Sequence, residues 1–62
     1  MKRCFIVADS STGIPFRAQE LMTRAECRAW IDHDVNECHK LGLFGITAAD
    51  YEIIDTRSWR TT

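Results

Sequence analysis

Residues 3–8, Arg-Cys-Phe-Ile-Val-Ala, are apolar at five of six positions, a run of strand formers without alternation. Such a run suits a strand covered on both faces and central in its sheet. The cluster Asp9-Ser10-Ser11-Thr12-Gly13 follows; these residues bond their own backbone or tolerate positive φ, and they predict a hairpin turn. Residues 14–20 alternate loosely, with Phe16 and Ala18 on one side and Arg17 and Gln19 on the other. Pro15 lacks the amide a central strand donates, which makes this second strand an edge.

The strongest local pattern is Thr23-Arg24-Ala25-Glu26, the spacing of a capping box. The Thr23 hydroxyl accepts from the Glu26 amide while the Glu26 carboxylate reaches back to the Thr23 amide, with Met22 and Cys27 at the hydrophobic-staple positions. Gly42 is placed to take the left-handed conformation that closes a helix, with Leu43 touching Cys38 across the cap. The predicted helix runs over residues 24–41. Cys27, Trp30, Ile31, Cys38 and Leu41 fall on one stripe at a rotation of about 100° per residue, with Val35 at its margin. The opposite face carries Arg28, Asp32, His33, Asn36, His39 and Lys40, acid early and base late, which suits the helix dipole. Asp34 projects from the middle of the apolar stripe, and a carboxylate buried there needs partners. Two placements follow: the helix overhangs the sheet and leaves Asp34 in solvent, or Asp34 and Trp30 form an exposed part of the stripe that receives a partner.

Leu43-Phe44-Gly45-Ile46 reads as an apolar plug for the end of the core, Thr47–Asp50 as a short capped turn, and Tyr51–Asp55 as a third strand. Residues 58–62 have little to hold them and read as a flexible tail, unless Trp59 folds back onto the sheet. The expected fold is therefore α+β, a single ββαβ domain over residues 1–62 with a three-stranded sheet in order 2-1-3 against one amphipathic helix. The helix would form a right-handed crossover between parallel strands 2 and 3. Order 1-2-3 is the alternative, disfavoured by Pro15.

At 62 residues the core is small, and chains of this size often rely on a disulfide, a metal or a partner. Cys4, Cys27 and Cys38 cannot all pair within one chain, and the first residues do not resemble a signal peptide. A reducing cytoplasm is the expected compartment, and no apolar run approaches the ~20 residues of a membrane span. The formal net charge of -1 lacks the basic excess of a typical nucleic-acid binder.

Cys27, His33, Cys38 and His39 carry zinc-ligand chemistry. Cys27 and Cys38 are eleven positions apart on the helix, about 16 Å at ~1.5 Å per residue, so the two thiols cannot share an ion. No phosphate loop, nucleophile elbow or His-Glu-X-X-His motif occurs, so no catalytic residue, metal or cofactor is expected.

With the assumed topology Lys2, Arg3, Arg24, Arg28, Arg57 and Arg60 gather at one pole, and Asp9, Asp32, Asp34, Glu37, Asp50 and Glu52 at the other. Trp59 between Arg57 and Arg60 pairs a stacking platform with cations. The expected function is a non-enzymatic binding module that modulates or inhibits a larger protein. Nucleic-acid binding through the basic pole and a structural homodimer are the alternatives. The short ββαβ pattern is similar in style to small accessory proteins of bacteria and their phages, a likeness that rests on no specific motif.

Overall fold

The computed structural model describes residues 2–16 and 19–58. Strand β1 (Phe5–Asp9), helix α1 (Arg24–Lys40) and strand β2 (Tyr51–Asp55) are joined by irregular chain and by single 3-10 turns at Ala48–Asp50 and Thr56–Ser58. The sheet has two antiparallel strands, with Val7 opposite Ile53 at the centre of the register. Among the described residues the expected three-stranded sheet in order 2-1-3 is not formed.

The missing strand has a geometric cause. The chain after the hairpin turn does return along β1, but among the described residues its strand-type pairing is confined to isolated bridges, Pro15 to Ala8 and Met22 to Phe5. Six residues separate Pro15 from Met22, whereas two separate Phe5 from Ala8, so no single register joins the two bridges. The gap is closed by a side chain. Gln19 accepts from the Val7 amide through Oε1 at 2.9 Å and donates from Nε2 to the Val7 carbonyl at 2.6 Å, which copies the two bonds a paired strand residue would make. Pro15 supplies no amide, and the Asp9 amide bonds the Ile14 carbonyl instead. Without a second strand there is no parallel crossover: α1 connects this irregular segment to β2. Two of the expected strand positions, Arg17 and Ala18, lie outside the described residues.

The turn into this segment is closed by a Gly13 amide bond to the Asp9 carbonyl at 2.7 Å and by the Asp9 carboxylate accepting from the Ser11 amide at 2.8 Å. Gly13 has φ +73°, a region open to glycine at no steric cost.

Helix α1 starts at a complete capping box. The Glu26 amide donates to the Thr23 hydroxyl at 3.1 Å and the Thr23 amide to the Glu26 carboxylate at 2.8 Å. At the far end Gly42 has φ +87°, the Leu43 amide donates to the Cys38 carbonyl at 2.9 Å and the Gly42 amide to the His39 carbonyl at 3.0 Å. This is the Schellman pattern, which satisfies carbonyls the helix leaves open.

The core holds Val7 from β1, Cys27 and Ile31 from α1 and Tyr51 from β2, with Phe5, Phe16, Met22, Trp30, Val35, Ile46 and Ile53 packed around them. The reverse face of β1 carries Ile6 and Ala8, which are also buried, as is Cys4 just before the strand. Burial pushes the Cys27 thiol pKa up, with the neighbouring Glu26 charge adding to it. Two expectations for the helix end are corrected. Leu41 is 79% exposed because the cap turns it away from the sheet, and Leu43 and Phe44 do not plug the core; of that loop only Ile46 packs against it. Ser58, expected in a flexible tail, belongs to the Thr56–Ser58 turn and donates through Oγ to the Asp55 carbonyl at 2.7 Å; residues 59–62 lie outside the described residues.

Replacing Gln19 by Ala leaves the buried Val7 amide without its acceptor, so Gln19→Ala lowers stability by about 1–3 kcal/mol in urea unfolding. Glu20→Ala, one residue on and exposed, changes it by less than about 0.5 kcal/mol. Thr23→Ala removes the cap and costs about 1 kcal/mol in the same assay.

Candidate functional site

The C-terminal ends of β1 and α1 meet the start of β2 around a cleft of about 230 Å³, lined by Asp9, Ser11, Phe16, Asp34, Cys38, Ile46, Asp50 and Tyr51. Its floor is aromatic. The Phe16 ring lies 5.1 Å from Tyr51 and 6.1 Å from Trp30, and Trp30 meets Tyr51 edge-on at 6.4 Å. Such tilted and edge contacts place the positive ring edge against a neighbour's negative face.

Asp34 sits at the inner wall, half-buried, and accepts a 2.7 Å hydrogen bond from the Tyr51 hydroxyl. The residue that breaks the apolar stripe is therefore neither left in solvent nor part of an open helix face. It provides the acceptor that a buried tyrosine hydroxyl requires. Trp30, paired with Asp34 in the sequence as an exposed patch, is half-buried against the core. Burial raises the Tyr51 pKa, and the Asp34 hydrogen bond and charge raise it further.

The outer walls are acidic. The Ser11 hydroxyl and amide hold the Asp9 carboxyl below its ordinary range, and Asp50 caps its own turn by accepting from the Thr47 amide at 2.9 Å. Both carboxylates are served by neutral donors, so the hydrogen bonds that orient them leave their charge uncompensated. Among the described residues no three His, Cys, Asp or Glu side chains converge as metal ligands. His39, expected on the water face, is half-buried: its Nε2 is hydrogen-bonded to the Ile46 carbonyl at 2.8 Å and its ring lies tilted against Phe44, with the centroids 5.8 Å apart. Beside the cleft this leaves an apolar knuckle in which Leu41, Leu43 and Phe44 are 79%, 52% and 73% exposed.

The opposite end holds the expected basic pole, and its charges are largely engaged within the chain. Arg3 forms a two-point contact with Glu26 at 3.2 and 3.4 Å. Arg57 does the same with Asp55 at 2.9 and 2.7 Å, and that guanidinium holds the Asp55 carboxyl well below the usual carboxylate range. The Arg24 guanidinium stands 4.6 Å from the centre of the Phe5 ring. Lys2 and Arg28 are exposed. Trp59 and Arg60 lie outside the described residues. No helix among the described residues is long and apolar enough to cross a membrane.

Sequence reasoning singled out Asp34 but missed Phe16 and Tyr51 as its neighbours. The only signal was that a buried tyrosine and a stripe carboxylate can satisfy one another. No protein-family model, no curated protein and no solved structure matches this chain.

Tyr51 is the sole tyrosine, so phenolate absorbance reports it alone. Its folded pKa lies above the ordinary value, so its contribution to stability is complete below that value and is lost as pH rises, because the unfolded chain releases the proton first. Ionisation is expected only well above pH 10.0, the ordinary tyrosine value. Asp34→Asn lowers that midpoint without restoring it, since burial remains, and Tyr51→Phe destabilises the fold by about 1–2 kcal/mol.

Proposed function

We propose that this chain is a small non-enzymatic binding module that modulates or inhibits a larger protein, and that it docks through the knuckle and the acidic cleft beside it. The observation that carries this reading is the exposure of Leu41, Leu43 and Phe44 together at one closed helix end. The Schellman cap holds the knuckle's backbone in place, so presenting these side chains costs a partner little ordering entropy. The carboxylates of Asp9 and Asp50 line the cleft beside it, and their charge favours a partner with a basic surface next to an apolar one. A surface that normally faces nucleic acid has that chemistry.

The alternative, nucleic-acid binding through the basic pole, is less well supported by the geometry. A phosphate at Arg3 or Arg57 has to displace Glu26 or Asp55 from a two-point contact, and the helix N-terminus already holds the Glu26 carboxylate.

The test is capture from a cell lysate with matched immobilised variants. A specific partner is retained by the wild type and by Arg28→Ala, and is lost with Leu41→Ser or Phe44→Ser. These knuckle side chains are exposed, so both variants stay within about 0.5 kcal/mol of wild-type stability. A partner indifferent to both knuckle variants counts against this site. Oligonucleotide binding that falls steeply with salt favours the alternative.

A further inference from the structure

The two edges of the sheet are treated differently. The outer edge of β1 is closed by Met22, Gln19 and Ile14. Along the outer edge of β2 no described residue pairs. The register, with the Ser10 amide bonded to the Asp50 carbonyl and the Thr56 amide to the Cys4 carbonyl, turns the main-chain groups of Glu52 and Ile54 toward β1. Those of Tyr51, Ile53 and Asp55 therefore point outward.

Two of the six outward groups are satisfied within the chain: the Tyr51 amide donates to the Ala48 carbonyl, and the Asp55 carbonyl accepts from the Ser58 hydroxyl. Four remain open among the described residues, the Tyr51 carbonyl, the Ile53 amide and carbonyl, and the Asp55 amide.

We propose that β2 pairs antiparallel with β2 of a second copy of this chain about a two-fold axis at Ile53, giving a continuous four-stranded sheet. In that register each Ile53 amide donates to the copy's Ile53 carbonyl, and each Asp55 amide to the copy's Tyr51 carbonyl. Every open group finds a partner of opposite polarity, and the two groups already engaged, the Tyr51 amide and the Asp55 carbonyl, face only each other in this register, so neither leaves an open group without its partner. The open set is thus its own complement under a two-fold axis, the condition for an isologous dimer. This points to a second copy as the occupant, in preference to an unrelated strand.

Side chains agree with the pairing. Tyr-Glu-Ile-Ile-Asp contains no Pro, Gly or Lys to blunt the edge. Glu52 lies opposite the copy's Ile54 and Asp55 opposite the copy's Tyr51, so no carboxylate directly faces another. Arg57 already compensates the Asp55 carboxylate. A two-stranded sheet is marginal alone and gains from further strands. The contact uses main-chain groups of β2 and does not depend on the cleft or the knuckle.

Sedimentation equilibrium from micromolar to millimolar concentration tests the pairing. The expected result is a reversible doubling of the 7.1 kDa mass. A synthetic chain with an N-methyl group on Ile53 keeps the side chain and loses the donor, and its dimer is weaker by more than about tenfold. In the unmodified protein, hydrogen exchange of the Ile53 and Asp55 amides slows as concentration rises, whereas that of Tyr51 does not change. Should the N-methyl chain fail to fold, the exchange measurement decides alone. A monomer at millimolar concentration overturns the proposal, as does a dimer whose Ile53 amide exchanges at a concentration-independent rate.

Discussion

Val7 is fully buried at the centre of β1, and its amide and carbonyl point away from β2. A buried main-chain pair without partners is costly, so the rest of the fold depends on how this one is satisfied. The Gln19 carboxamide answers both groups at once. A second full strand is then unnecessary, and the segment between Pro15 and Met22 is released from a regular register. Phe16, which donates its amide to the Val7 carbonyl at 3.3 Å, leans its ring over Tyr51. The aromatic floor of the cleft follows from that departure from strand geometry.

The two ends of the molecule treat charge in opposite ways. Where α1 begins, carboxylates and guanidinium groups meet directly, Glu26 with Arg3 and Asp55 with Arg57, so that end is locally compensated. Such exposed pairs add little to stability, but they lower the field available to a phosphate. At the other end Asp9 and Asp50 are held by a hydroxyl and main-chain amides. Neutral donors orient a carboxylate without cancelling its charge. Net charge near zero therefore coexists with two carboxylates oriented by neutral donors at one end, and beside them lies the exposed knuckle.

Local features were legible because their physics is local. Thr23, Glu26 and Gly42 mark the helix ends within a few residues of chain, and the structure places its caps on those residues. The Asp9–Gly13 cluster likewise closes its own turn. What failed was anything requiring a count across the gap between Pro15 and Met22, because a loose alternation cannot reveal that the register breaks. Leu41 misled for a related reason. Helical periodicity assigns it to the apolar stripe, but the stripe continues only as far as there is sheet beneath it.

Residue order alone determined the apolar run of β1, the capped amphipathic helix and the position of β2, since each rests on patterns spanning fewer than about 20 residues. It also marked Asp34 as out of place. Tertiary structure decided what that carboxylate does, by bringing Tyr51 to it from 17 residues away along the chain. It decided as well that the second edge of β1 is closed by a side chain. Both are long-range satisfactions of buried polar groups, and a buried polar group accepts any partner of the right geometry, whatever its place in the sequence.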